Sequence, residues 1–209
     1  MKSQLYLWVF LGVVWFSSGG ATGGLPLWAA QEEHQSATVA FEHVHALAMD
    51  GQGRTLFLGA HTGLFQSADS GRTWKKVALP GKHAQLDVMA VAPDLREPRT
   101  IYLGTHEAGV FKSTDGGSVW TEVNTGLGGL DVHGLAVDPS GPSKLHAAVR
   151  ENAEGIYRTT DSGGKWARVD DGPGGEVKVL TSVNISTGMG GIFLYAGTAE
   201  GLQRSPDCF

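Results

Sequence analysis

The sequence predicts an all-β fold, a β-propeller of four-stranded antiparallel blades, and three observations predict it: abundant glycine, an internal repeat of fixed length, and strand-like alternation inside each copy. Of 209 residues, 31 are glycine and 18% are charged; glycine is at about twice its usual share of roughly 7%, a turn-rich, β-type composition. Beyond residue 35 no window carries apolar residues at helical spacing over more than about two turns, and glycine interrupts nearly every stretch. Almost no helix is expected there.

In chain order, the first element reads as an export signal. Lys2 supplies a short positive region, and Leu5 to Phe16 form an apolar run broken only by Gly12. These 12 residues are too few to span a bilayer. Small residues follow at Ser17, Ser18, Gly19, Gly20 and Ala21, which suits cleavage near Ala21, with a second candidate after Ala30. An uncleaved anchor is the alternative, because Leu25 to Ala30 can extend the apolar stretch. Residues 1–30 are therefore assigned to a signal peptide and short linker and 37–209 to the propeller, and the protein is expected to be secreted or periplasmic. Cys208 is the only cysteine and can form no internal disulfide. A net charge of −5 without a Lys/Arg cluster argues against nucleic acid as a partner. Membrane association is expected only through an uncleaved anchor, and no oligomer is predicted.

The repeat follows. Gly63-Leu-Phe-Gln-Ser-Ala-Asp-Ser-Gly-Arg-Thr-Trp74 aligns with Gly109-Val-Phe-Lys-Ser-Thr-Asp-Gly-Gly-Ser-Val-Trp120, with Gly155-Ile-Tyr-Arg-Thr-Thr-Asp-Ser-Gly-Gly-Lys-Trp166, and with a fourth copy that opens at Gly201 and carries Ser205 and Asp207. The glycines, like Asp69, Asp115, Asp161 and Asp207, step by 46 residues. Within a copy, Ser67 and Asp69 can fold their side chains onto the amides of a tight turn while Gly71 takes a positive φ. The same reading applies to Ser113, Asp115 and Gly117, and to Thr159, Asp161 and Gly163. Trp74, Trp120 and Trp166 offer large apolar areas for packing between neighbouring sheets.

Each unit also holds earlier strand candidates. In the second unit Val88–Ala92, Thr100–Gly104, Val110–Ser113 and Val119–Val123 form a meander A to D, and His45–Met49 and Thr55–Gly59 begin the same pattern in the first. Four-stranded meanders repeated at this period are propeller blades, which avoid open sheet edges by radial closure. The fourth copy ends inside its own turn, so the sequence is expected to be an N-terminal fragment with three or four further blades.

The motif Ser/Thr-x-Asp-x-Gly-x-x-Trp resembles the Asp box of the BNR repeat family, which includes sialidases and other glycoside hydrolases, the sortilin-type receptor propeller and photosystem assembly factors. The resemblance covers roughly residues 42–209; three copies match well, and the fourth departs at Pro206 and Cys208. It implies a propeller and permits a glycosyl hydrolase.

The repeated aspartates fall one per blade and cannot pair at the short separations glycoside hydrolysis needs, so a structural role is expected. Antiparallel alternation puts the A–B and C–D turns on one face and the B–C and D–A loops on the other. The repeated Asp turns are C–D turns. His61 and His106 fall two residues after the glycine ending strand B, and Arg150 takes the equivalent place in the third unit. His43 and His45 begin the first strand A and His133 matches His45, with Asp87 and Asp131 just before their strands. His43, His45, His61, His106, His133 and Arg150 thus belong near the opposite face, where propellers commonly take ligands. Imidazoles beside carboxylates can bind a transition metal or an anion, or shuttle protons; solvent-exposed or packing roles are the alternative. No cofactor is otherwise expected. His146 aligns with Phe57, Tyr102 and Tyr195 in strand B, which points to packing. His34 and His83 lie in polar loops, and Asn184-Ile-Ser186 matches a glycosylation sequon.

Two functions follow as expectations. The first is a non-catalytic binding or assembly propeller presenting the histidine-bearing face to a protein or glycan, favoured by short, regular loops. The second is a sialidase-like glycoside hydrolase whose catalytic residues lie partly in further blades. The sialidase-like pattern wants an arginine cluster, an acid and a tyrosine nucleophile, and only Arg150 occupies a suitable loop.

Overall fold

Fifteen strands and no helix make up the described part of the computed structural model, which comprises residues 41–80, 86–174, 176–183, 185 and 192–205. These belong to the unit Ser36–Phe209; the other unit, Met1–Gln35, lies outside them, and with it the expected export signal and His34. His83, Asn184, Ser186, Pro206, Asp207 and Cys208 also lie outside the described residues.

The first blade is β1 (Val44–Met49), β2 (Leu56–Ala60), β3 (Gly63–Ser67) and β4 (Lys75–Lys76). The second is β5 (Val88–Pro93), β6 (Ile101–Thr105), β7 (Gly109–Ser113) and β8 (Thr121–Glu122). The third is β9 (Val132–Val137), β10 (Leu145–Val149), β11 (Gly155–Thr159) and β12 (Ala167–Asp170), and the fourth contributes β13 (Val179–Val183), β14 (Phe193–Thr198) and β15 (Gly201–Arg204). Each sheet is an antiparallel meander in chain order. Successive A strands, β1, β5, β9 and β13, pack against one another, which places them innermost, as in a propeller.

The cores lie between blades. Phe57 and Leu64 of the first blade close on Val88, Leu103 and Trp120 of the second. Ala90, Tyr102 and Val110 of the second meet Val132, Leu145 and Trp166 of the third. Ala148 and Ile156 of the third meet Leu180, Leu194 and Ala196 of the fourth. Inner strands approach closely: a Cβ on Gly59 would lie 2.7 Å from the Val88 carbonyl oxygen and one on Gly104 would lie 2.8 Å from that of Val132. At these two boundaries glycine at the end of strand B is therefore a condition of blade contact; in the third blade that place is held by Ala148, and the close approach is made by Gly134 of strand A, where a Cβ would lie 2.6 Å from Leu180 Cβ.

Strand D is shorter than the sequence suggests, Thr121–Glu122 instead of Val119–Val123. The cause is the neighbouring turn: Asp115 Oδ1 accepts hydrogen bonds from the Ser118 and Val119 amides, at 2.9 and 3.0 Å, which pulls Val119 out of the ladder and into solvent. The tryptophans also differ in use. Trp120 and Trp166 are buried between blades, whereas Trp74 is half-buried against Phe41 in a separate cluster of the first blade.

Candidate functional site

The two faces of the propeller are built by different turn chemistry. On one face, the C–D turns are closed by their own side chains. Ser67 Oγ donates to Asp69 Oδ1 at 2.8 Å and accepts from the Gly71 amide at 2.8 Å, while Asp69 accepts from the Thr73 amide and hydroxyl. Ser113 with Asp115 and Gly117, and Thr159 with Asp161 and Gly163, repeat this arrangement. Hydrogen bonds from the Thr73 hydroxyl and amide and from Ser67 hold the Asp69 carboxyl at about 2, below the usual carboxylate value. A second aspartate series shares this face in the A–B turns. Asp50, Asp94 and Asp138 end strand A at steps of 44 residues, each accepting a hydrogen bond from the amide two residues on. Their spacing was available in the sequence, although they had not been singled out.

The opposite face is built across blade boundaries, from three repeated positions. The first follows strand B: the amides of His106 and Arg150 donate to the carbonyls of Asp87 and Asp131, tying the B–C loop to the start of strand A in the same blade. The second precedes strand A, where Asp87, Asp131 and Glu176 stand before Val88, Val132 and Val177. Their side chains turn back to the preceding blade: His61 Nδ1 sits against Asp87 Oδ2, His106 Nδ1 lies 3.6 Å from Asp131 Oδ1, and Arg150 is 3.1 Å from Glu176 Oε1.

The third position is a β-bulge. Val44 pairs with Ala60 and Ala46 with Gly59, leaving His45 as the extra residue; Met89 and His133 are extra in the same way in β5 and β9. A bulge re-aims a side chain that strict alternation would otherwise fix, and these three residues line one cavity of about 440 Å³ with His61, Asp87, His106, Arg150 and Glu176.

Two triads result. His45 Nε2 lies 3.3 Å from His61 Nδ1 and 3.3 Å from Asp87 Oδ1. His133 Nε2 lies 2.8 Å from Asp131 Oδ1, and His106 Nδ1 lies 3.6 Å from the same oxygen. The second triad is the more enclosed, Asp131 being 5% exposed. Burial lowers the His45 and His133 pKa values below the usual imidazole value, partly offset by Asp87 and Asp131 respectively.

Of the six residues predicted at this face, His45, His61, His106, His133 and Arg150 line the cavity. His43 lies beside it, its ring centroid 4.8 Å from that of His61. Glu176 and Met89 had not been predicted. An acid followed by valine at the start of β5 and β9, and again two residues before β13, is the signal for Glu176. His146 is fully buried in β10, consistent with packing, and its pKa is lowered to about 4, first by burial and then by Arg158 and Lys144.

No protein-family model and no curated protein matches the sequence. Solved structures do. An ancestral GH74 enzyme is 19% identical with a TM-score of 0.59, the match covering 79% of this chain and 23% of that one. The GH74 xyloglucanase from Xanthomonas campestris is 22% identical with a TM-score of 0.53, covering 77% and 29%. YCF48 bound to D1 peptide is 18% identical with a TM-score of 0.59, covering 80% and 51%. The chain thus spans about a quarter to a half of the length of these similar structures, and what the likeness shows is the fold they share with it: a β-propeller.

Proposed function

We propose that this chain is an exported Asp-box propeller of the BNR kind that acts as a binding or assembly module, taking a protein or glycan ligand through the face opposite its aspartate turns. The observation that supports it most is the cavity of about 440 Å³ on which imidazoles, carboxylates and a guanidinium from successive blades converge. Convergent polar groups in one concavity are how a pocket fixes the orientation of a ligand. The aspartate turns, by contrast, spend their hydrogen-bonding capacity on their own backbone. The peptide-bound state of the structurally similar YCF48 supports a protein ligand in particular.

Glycoside hydrolysis needs two carboxyl groups flanking the scissile bond. Here Asp87, Asp131 and Glu176 each stand against a basic side chain from the blade before, which favours binding over hydrolysis. Peptide and glycan arrays probed with the full chain test the reading. Binding is expected to be lost in Arg150→Glu and His61→Ala and kept in Arg72→Ala and Lys165→Ala, which change the aspartate-turn face. Ligand retention by the first pair, or turnover of fluorogenic glycosides abolished by Asp131→Asn, would overturn it.

A further inference from the structure

We infer that the two histidine–aspartate triads are binding sites for a divalent first-row transition metal of the zinc class, His106, Asp131 and His133 forming one and His45, His61 and Asp87 the other. This goes beyond a ligand-binding role for the face, since a metal can be held whether or not a partner docks.

Three observations carry it. The donor set is right: each triad offers two imidazole nitrogens and one carboxylate oxygen, all within 4.8 Å of one another. Nitrogen donors select zinc-like ions over calcium or magnesium, which prefer oxygen. The spacing is right too. Zinc bonds of about 2.0–2.1 Å at tetrahedral angles put neighbouring donor atoms roughly 3.3 Å apart; His45 Nε2 lies 3.3 Å from both His61 and Asp87, and Asp131 Oδ1 lies 2.8 and 3.6 Å from His133 and His106, while the direct His61–Asp87 contact is one that an ion would have to replace.

The third observation is an unmet demand. Asp131 is 5% exposed, yet neither carboxylate oxygen accepts a hydrogen bond, and His106 Nδ1 is likewise buried and unbonded. His133 Nε2 is close to Asp131 at 2.8 Å but not aligned as a donor, and it also faces Arg150 at 3.4 Å. No single tautomer suits both neighbours: a protonated Nε2 opposes the guanidinium, and a bare one opposes the carboxylate. A cation between Nε2, Nδ1 and Oδ1 answers all three atoms at once. Arg150 does not forbid it, because its charge is engaged by Glu176 at 3.1 Å. A buried carboxylate without a partner is otherwise costly, which makes a hydrogen-bonded blade latch the weaker account of this triad.

Three protein ligands leave a fourth tetrahedral position open, the arrangement of an exchangeable site and not of a closed structural one. Each site also joins two blades, so a bound ion would brace their boundary. The bulge that supplies His45 and His133 supplies Met89 in the intervening blade, so the two triads are separate sites.

Chelator-treated full-length chain is titrated with ZnCl2 by calorimetry, with Co2+ as a visible-spectrum probe of coordination. Two Zn2+ per chain are expected, together with a rise in Tm on addition. His106→Gln, which removes one of three ligands, should remove one equivalent, and His45→Gln the other. His106 is 40% exposed, so its replacement tests the ligand without emptying a core, and melting of each metal-free variant checks the fold. Asp131→Asn should abolish the same equivalent as His106→Gln, while Lys165→Ala, in an aspartate turn on the other face, keeps both. A wild-type chain that takes up no Zn2+, or uptake unchanged in His106→Gln and His45→Gln, would overturn the assignment.

Discussion

The two faces repeat in different ways. At the C–D turns the same chemistry recurs: Ser67, Ser113 and Thr159 each accept from the amide four residues on, and Asp69, Asp115 and Asp161 each answer the preceding hydroxyl. At the opposite face the positions recur but the residues change, His61 with Asp87, His106 with Asp131, then Arg150 with Glu176. Repetition with identity marks what every blade needs in order to close. Repetition of place with changing chemistry marks a surface where the fold asks for little and something else decides.

The comparison assigns stability to the aspartate-turn side and the blade boundaries behind it, and the tryptophans are the place to break it. Trp166 is 2% exposed, packs in the core between the second and third blades, and donates its indole N–H to the Val123 carbonyl of the preceding blade at 2.7 Å. Trp166→Ala should cost about 4 kcal/mol, within the range for buried tryptophan truncation. Trp74 holds the same motif position but is half-buried and bonds only within its own turn, to Gly71, so Trp74→Ala should cost less. Urea unfolding of both variants measures the difference; equal losses would mean that the motif, not the blade boundary, sets the value of the indole.

The next largest effect concerns a histidine away from the histidine-lined face. His146 is buried in β10, near Arg158 and Lys144, whose charges oppose its protonation, and near Asp138, which favours it. Its folded-state value of about 4 lies below the ordinary 6.5, so between those pH values the unfolded chain binds the additional proton. The contribution to stability is whole above pH 6.5 and is lost as pH falls towards 4, by roughly 3 kcal/mol at about 1.4 kcal/mol per pH unit. Phe57 and Tyr102 hold the equivalent place in the other blades. His146→Phe should therefore fold and flatten the slope of stability against pH in that window; an unchanged slope would move the titrating group elsewhere.

The fold was legible because its most regular element is also its most local one. A turn closed by a hydroxyl and carboxylate two residues apart leaves the same signature in every copy, and the 46-residue step orders the strands around it. The site was legible only in part. His45 and His133 could be placed at the start of strand A by alignment, but the bulge that turns them towards the cavity depends on how β1 pairs with β2 and β9 with β10, which no residue type announces. Glu176 escaped because loops vary in length: Asp87 and Asp131 are 44 residues apart and Asp131 and Glu176 45, off the 46-residue period that aligned the repeated turns. Strand D was overread because Val119 looks like a strand residue, and only the carboxylate of Asp115 shows that its amide is already committed to the turn.

The smallest effect is the sharpest test of the contrast between the faces. Ser113 and Arg150 each hold two parts of the structure together, the first by hydrogen bonds within a turn and the second by an ion pair across a blade boundary. Ser113 is 1% exposed, and Ser113→Ala would leave the Gly117 amide without its acceptor at 2.9 Å, a loss of about 1–2 kcal/mol by the cost of stranding a buried donor. Arg150 and Glu176 have side chains 40% and 37% exposed. Water and salt screen such a pair, so Arg150→Ala should change stability by no more than about 1 kcal/mol, despite removing a full charge. If chemical denaturation shows Arg150→Ala costing more than Ser113→Ala, the variable links are fasteners after all, and the distinction between a structural face and a binding face fails.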